Sequence, residues 1–238
     1  MKNNARNTGE LLPLYFAKKS INILLLACCS LSFYPCYSQQ NEYKKGIMKA
    51  DETTKQVQIR PEERIFASRL LNETAAGVTS SIEGLNKAQL TFKPAADKWS
   101  IDECIKHIAI AELNLWEMVV ESLKQPVDPE KRKGIKFTDE QLINAVKDRS
   151  HKSKTFEALE PANSPYATAA EALAAFQKNR ARLTTFVKST SEDLRNHVLV
   201  LPIGTYDAYQ FILLIAAHSN RHTQQISEVK AHIDFPKP

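Results

Sequence analysis

Residues 100–123 have the sequence SIDECIKHIAIAELNLWEMVVESL, and this stretch has the clearest helical pattern in the chain. Ser100 and Glu103 form a capping-box motif, in which each side chain can accept a hydrogen bond from a free amide at a helix start. One broad face of the helix is apolar and carries Ile101, Cys104, Ile105, Ile108, Ala111, Leu115, Met118 and Val119. The helix should end near Lys124, because Pro126 follows. The stretch therefore predicts a long helix that packs against others through one face.

Other parts of the chain have similar patterns. Pro61 suits the first turn of a helix, which should fade near Gly84. Gly204-Thr205 is predicted to open the last helix, after a short β-like segment at 198–202. After residue 124, helices are expected at 138–159 and 167–188, and the last helix is expected at 205–232. Together these elements predict an all-α fold, an antiparallel four-helix bundle with an extra helical segment.

The composition agrees with this fold class. The chain has 238 residues, of which 43% are hydrophobic and 25% are charged. These values exclude a fully disordered or fibrous protein. Only 6 glycines occur against 11 prolines, and because sandwiches and barrels use glycine in many turns, this scarcity favours helices with few connections.

Residues 1–38 are predicted to be a signal peptide and leader. Lys18 and Lys19 precede a short apolar run at 20–34, and small residues near Ser38 suit cleavage. We therefore expect an exported, periplasmic protein with a flexible linker at 39–60 and a helical-bundle domain at 61–238. Two alternatives stay open: an anchor helix that is not cleaved, and a lipoprotein modified at Cys28, because residues 25–28 resemble a lipoprotein box.

Removal of the leader changes the counts of charges and cysteines. Of the 32 basic and 27 acidic residues, four and one lie in 1–38, so the mature chain has a net charge of about +2 and one cysteine, Cys104. No basic stripe remains, so we expect no nucleic-acid partner. The expected partner is a small-molecule substrate. Membrane contact is expected only through a lipidated Cys28 or an uncleaved anchor, and a homodimer stays open.

Two of the six histidines, His218 and His222, are four residues apart in the last predicted helix. This spacing places both imidazoles on one helix face, where they can reach one metal ion. The same face carries Phe211, Ile215, Ile226, Val229 and Ile233, whereas Asn220, Arg221 and Gln224 are expected to point away. A buried histidine pair is either satisfied by hydrogen bonds or bound to a metal, and the spacing alone favours neither.

His107 offers a third imidazole from the helix that begins after Ser100. Three neutral imidazoles from two packed helices would leave a coordination position open for water or substrate, as in catalytic metal sites. The other three histidines, His151, His197 and His232, are predicted to have structural roles.

Three further residues near these histidines allow two interpretations each. Glu112 lies on the apolar arc of its helix and either orients an imidazole or meets solvent or a basic partner. Gln225 either contacts a ligand or is a polar spacer in the core. Cys104 is either a fourth metal ligand or a small buried apolar group. No carboxylate in the sequence is obviously placed as a general base.

Residues 92–108, with the sequence FKPAADKWSIDECIKHI, and the later His218, His222 and Gln225-Ile226 resemble the DinB-like superfamily. The resemblance covers about 61–235. It implies a four-helix bundle with an up-down-down-up arrangement and a divalent metal ion, zinc or nickel, held by His107, His218 and His222. It also implies a metal-dependent enzyme of the thiol S-transferase type. Hydrolysis and a non-catalytic metal-binding or scaffold role stay open as alternatives.

Overall fold

Four long helices build the part of the chain that the structure describes, and shorter elements join them. The computed structural model describes residues 58–150 and 154–238. The long helices are α1 (Pro61–Ile82), α3 (Ile101–Leu123), α5 (Ala169–Ser189) and α6 (Ala208–Lys230). The shorter elements are α2 (Lys87–Thr91), α4 (Asp139–Lys147) and an antiparallel pair of strands, β1 (Val198–Leu201) and β2 (Gly204–Asp207). Short 3₁₀ turns occupy 129–134, 157–159 and 161–163. The predicted signal peptide at 1–38, and the linker as far as residue 57, lie outside the described residues.

Contacts between helix ends show the direction of each long helix. Arg64, at the start of α1, donates to the carbonyl oxygen of Thr190 just after α5 (2.9 Å), so α1 and α5 are antiparallel. Lys230, at the end of α6, donates to the carbonyl oxygen of Ser81 near the end of α1 (3.2 Å), so these helices are parallel. The first amide of α5 donates to Asp102 at the start of α3 (2.8 Å), so α3 and α5 are parallel. The arrangement is therefore up-down-down-up, as the resemblance implied.

A polar layer divides the core of the bundle at mid-height. Arg180 of α5 pairs with Glu112 of α3 through two contacts of 2.6 and 2.7 Å, and both side chains are buried. Arg180 also donates to Thr74 of α1 and Ser219 of α6, each at 2.7 Å. Apolar side chains fill the space on either side of this layer, with one cluster around Leu183 and Phe211 and another around Ile105 and Phe176. The layer thus joins all four long helices at one level.

The capping box predicted at the start of α3 is confirmed. The amide of Glu103 donates to the Ser100 hydroxyl (3.2 Å), and the amide of Ser100 donates to the Glu103 carboxylate (2.7 Å). These two bonds fix where α3 begins, and therefore fix the position of His107 two turns later.

The helix predicted at 138–159 is too long, because α4 ends at Lys147. Asp148 accepts a hydrogen bond from the amide of Ser150 (2.8 Å), and such a local bond replaces the next helical one. The chain from 154 to 168 has no α-helix and crosses the bundle beside α3.

The start of the last helix also differs from the prediction. Gly204 and Thr205 do not open a helix but belong to β2, where they pair with Leu201 and Val200. Helix α6 begins four residues later, at Ala208, with Asp207 as its N-cap. It ends at Lys230, so Ile233 lies beyond the helix and is 93% exposed rather than part of the buried face.

No helix within 58–150 or 154–238 is long and apolar enough to cross a membrane.

Candidate metal centre

The three histidines singled out in the sequence lie together between α3 and α6. The Nε2 atom of His218 lies 3.3 Å from that of His107 and 3.1 Å from that of His222. One ring nitrogen from each residue falls within 4.8 Å of the others. His107 and His222 are buried, and His218 is half-buried. The packing of α3 against α6 therefore brings three imidazoles to one point.

The hydrogen bonds on the far side of two rings determine where their protons lie. The Nδ1 atom of His107 lies 2.7 Å from the carbonyl oxygen of Leu159. The Nδ1 atom of His222 lies 2.9 Å from the side-chain oxygen of Gln225. Because both oxygens only accept hydrogen bonds, each Nδ1 atom carries the proton, and each Nε2 atom presents a lone pair to the centre of the cluster.

These lone pairs cannot all be satisfied within the cluster. A neutral His218 has one N–H, so its Nε2 atom can donate to His107 or to His222 but not to both. A cation among the three nitrogens would satisfy every lone pair at once. Two nitrogens that each lie about 2.1 Å from a metal ion are about 3.0–3.4 Å apart at octahedral to tetrahedral angles, and the observed 3.3 and 3.1 Å fall in this range. The cluster therefore fits a divalent metal ion.

Burial favours the neutral form of all three imidazoles. Desolvation lowers the pKa of His107, lowers that of His218 to about 3, and lowers that of His222 well below the usual value of 6.5. For His218, the nearby His107 and two arginines, Arg221 and Arg180, lower the pKa further. Protons therefore compete weakly for the nitrogens that face the cluster.

Trp99 covers two of the three imidazoles. Its ring lies 4.8 Å from the His107 ring, and it stacks on His222 with a centroid distance of 5.9 Å and an angle of 21° between the planes. Trp99 is a site residue that the helical pattern and the histidine spacing do not indicate. Its position in the sequence could have indicated this role, because Trp99 comes directly before the capping box and so lies at the same end of the bundle as His107.

A cavity of about 640 Å³ opens over the cluster. Its wall is formed by residues of the α2–α3 connection, the segment between α4 and α5, and α6, among them Pro94, Lys98, Trp99, Arg149, Thr155, Arg221 and Val229. Arg221 lines this cavity, although the helical wheel predicted that it points away.

Three carboxylates of the described residues also line the cavity, and they differ in their partners. Asp97 pairs with Lys98 at 2.8 Å, and Glu228 pairs with Arg149 at 2.6 Å. Glu160 is half-buried, lies next to Leu159 in the chain, and acts electrostatically on His107. Among the described residues it forms no ion pair, so of the three carboxylates it is the one that is not held by a basic side chain.

The other site candidates have structural partners. Glu112 pairs with a base, Arg180, rather than with an imidazole. Cys104 is fully buried in the apolar core, where desolvation raises its pKa to about 12, so it acts as a small apolar group. Gln225 accepts the hydrogen bond of His222, and so has a role that neither of its two interpretations described.

Two of the three remaining histidines, His197 and His232, lie outside the cluster. His197 is buried and contacts the carbonyl oxygen of Ser122 through its Nδ1 atom (3.0 Å). His232 follows the last turn of α6 and packs on the ring of Phe92 (5.6 Å). His151 lies outside the described residues.

Comparisons with known proteins agree with the family resemblance and with the fold. The sequence matches the DinB superfamily over residues 70–226. It is 27% identical over 166 residues to the uncharacterized protein YuaE of Bacillus subtilis, an alignment that covers 69% of this chain and 98% of YuaE. Its fold is similar to that of YfiT from Bacillus subtilis, with a TM-score of 0.52, 17% identity, and coverage of 75% of this chain and 91% of YfiT. YfiT is described as a probable metal-dependent hydrolase with an unusual four-helix bundle topology.

Proposed function

The chain belongs to the DinB superfamily, and we propose that it is a divalent-metal-dependent enzyme acting on a small molecule, with hydrolysis as its reaction. The proposal rests on the Nε2 atoms of His107, His218 and His222, which lie together in the structure. The cluster has too few N–H groups to give every Nε2 lone pair a hydrogen bond. These three residues would hold the ion. Three ligands leave a position open, as in catalytic rather than closed structural sites.

A divalent ion at this point would polarise a carbonyl or lower the pKa of a bound water or thiol. The protein supplies the remaining parts. The carbonyl oxygen of Leu159 and the amide of Gln225 hold two imidazoles in the tautomer that leaves Nε2 free. Trp99 shields one side of the cluster from water. The carboxylate of Glu160 is proposed to accept the proton that the reaction releases.

The cavity supports an enzyme over a purely structural metal site. Its volume of about 640 Å³ is large enough for a small organic molecule. A scaffold role would need no such space beside the metal ligands.

Hydrolysis is favoured over thiol transfer by two considerations. The description of YfiT as a probable metal-dependent hydrolase supports a hydrolytic reaction for a similar bundle. In addition, small thiols are mainly cytosolic, whereas we propose that this protein is exported to the periplasm. We also propose that its metal is zinc or nickel. Thiol S-transfer remains the second candidate, because the same open position can bind a thiol.

The activity is tested with the purified protein loaded with zinc or nickel. We expect turnover of p-nitrophenyl acetate, a simple ester, that is lost in a His218→Ala/His222→Ala variant whose helical content is unchanged. A parallel assay follows the metal-dependent addition of a small thiol to an electrophilic dye. Metal-dependent thiol addition without ester hydrolysis would replace hydrolysis with thiol transfer. Absence of both activities would contradict the proposed enzyme.

The role of Glu160 is tested by Glu160→Gln, with Glu157→Gln as the matched control because Glu157 is exposed on the same segment and does not line the cavity. Loss of a general base typically lowers the rate by about 10²–10⁴-fold. We expect a loss in that range for Glu160→Gln with the metal content unchanged, and no change for the control. Equal rates in the two variants would exclude Glu160 as the proton acceptor.

A further inference from the structure

Arg149 lies at the end of a short chain of hydrogen bonds that leads to His222. Its Nη1 atom is 3.5 Å from the side-chain oxygen of Gln225, and that oxygen also accepts the hydrogen bond from Nδ1 of His222 at 2.9 Å. Arg149 follows α4, whereas Gln225 and His222 belong to α6. A residue outside the metal ligands thus reaches one of them through a single amide group.

The position of Arg149 is fixed by a second residue of α6. Its Nε and Nη2 atoms contact the two carboxylate oxygens of Glu228 at 2.6 and 2.7 Å. This two-point contact holds the plane of the guanidinium group, because both partners are planar and their geometries match. Glu228 lies three residues after Gln225, on the same side of the helix.

The amide of Gln225 can lie in two orientations, which have opposite effects on His222. With the oxygen toward the imidazole, Nδ1 of His222 is the donor and Nε2 keeps its lone pair. With the NH₂ group toward the imidazole, Nδ1 must accept, and the proton moves to Nε2, where it blocks a metal ion. One amide orientation therefore permits metal binding, and the other prevents it.

Arg149 discriminates between these orientations because a guanidinium group has donors and no acceptor. The reversed amide would place the NH₂ group of Gln225 against the N–H groups of Arg149 and against their positive charge. At 3.5 Å the hydrogen bond itself is long, so the positive charge of Arg149 contributes most of the preference for one amide orientation. The charge and the hydrogen bond both favour the orientation in which the Gln225 oxygen faces Arg149.

We propose that Arg149 is a positioning residue, which fixes the amide of Gln225 and thereby keeps the proton of His222 on Nδ1, with Nε2 free for a metal ion. The effect on the tautomer exists in the metal-free protein. The effect on metal affinity rests on the proposed metal site. A sequence pattern could not indicate this role, because Arg149 and His222 are 73 positions apart in the chain.

The test measures the tautomer of His222 directly, by the ¹⁵N chemical shifts of its ring in the metal-free full chain at about pH 8, above the pKa of an ordinary histidine. In the wild type we expect the proton on Nδ1. In Arg149→Met we expect a mixture with the Nε2–H form, and zinc affinity about ten-fold lower, as is typical when a group that orients a ligand is lost. Arg182→Met is the control, because Arg182 is exposed on α5 and does not line the cavity.

A double variant separates the proposed role from a general effect on structure. A glutamate at position 225 offers only acceptor oxygens, so it cannot adopt the reversed orientation. We therefore expect Arg149→Met/Gln225→Glu to restore the Nδ1–H tautomer. If Arg149→Met does not fold, Glu228→Gln replaces it, because the Glu228 side chain is 58% exposed and holds Arg149 in place.

An unchanged His222 tautomer in Arg149→Met or, if that variant does not fold, in Glu228→Gln would overturn the proposal, whatever happens to metal affinity. So would a changed tautomer that Gln225→Glu fails to restore. Failure of the wild type to bind zinc would instead overturn the proposed metal function, and the tautomer measurement would still decide the role of Arg149.

Discussion

The Nε2 atoms of His107 and His218 lie 3.3 Å apart, although hydrogen bonds elsewhere place the proton of His107 on its other nitrogen. The carbonyl oxygen of Leu159 accepts from Nδ1 of His107, so the nitrogen that faces His218 is a bare lone pair. Such an arrangement is costly in a buried site unless a donor or a cation satisfies it. This relationship, together with its equivalent at His222, is the basis for the metal site.

Trp99 should report on metal binding by its fluorescence. The chain has two tryptophans. Trp99 stacks on His222 and lies beside His107, whereas Trp116 packs on Phe186 (5.0 Å). We expect nickel or cobalt ions to quench the emission of the wild type and of Trp116→Phe, because the ion would lie close to the indole. Quenching should be absent in Trp99→Phe. Equal quenching in the two variants would mean that the metal binds elsewhere.

The pair of Arg180 and Glu112 should contribute strongly to stability. Arg180→Met leaves the Glu112 carboxylate buried without its partner, and such a change typically costs about 3–5 kcal/mol. An Arg180→Met/Glu112→Met variant removes both charges, so most of the loss should be recovered. The free energy of unfolding in urea measures both effects. Arg182→Met, exposed on the same helix, serves as the control and should change stability little.

The double variant also tests whether the unpaired carboxylate causes the loss of stability in Arg180→Met. If the double variant is as unstable as Arg180→Met, the loss comes from the contacts of Arg180 with Thr74 and Ser219 rather than from an unpaired carboxylate.

The stability of the metal-free protein should fall as the pH drops below about 6.5, the usual pKa of histidine. Burial lowers the pKa of His218 to about 3 in the folded state. Between these two values the unfolded chain binds a proton that the folded protein does not, so acid favours unfolding. Above both values neither state is protonated, and this contribution is constant.

Unfolding in urea at a series of pH values measures this slope. His218→Gln should make stability less dependent on pH in this range. A slope that is the same in His218→Gln and in the wild type would contradict the burial argument for His218.

Local signals in the sequence were enough to predict much of the fold. The capping box at Ser100 and the apolar periodicity after it predicted α3 with correct bounds. The four-residue spacing of His218 and His222 on an apolar face predicted that both imidazoles point inward. In each case the information lies within one helix, where caps and periodicity act directly.

Features that depend on contacts between distant segments could not be predicted. Leu159 acts through a backbone carbonyl, which every residue has, so its side chain carries no signal. Glu112 was recognised as an unusual acid on an apolar arc, but its partner Arg180 lies on another helix, and a single sequence does not pair them. The turn between β1 and β2 was missed because Gly204 is as compatible with a helix start as with a hairpin.

The most direct test of the metal site is X-ray absorption spectroscopy of the protein loaded with zinc or nickel, with the metal content measured on the same sample. We expect one ion per chain, coordinated by three imidazole nitrogens at about 2.0–2.1 Å, and loss of that signal in His218→Ala/His222→Ala. A protein that binds no ion, or binds one without imidazole ligands, would contradict the assignment of His107, His218 and His222 as the metal ligands.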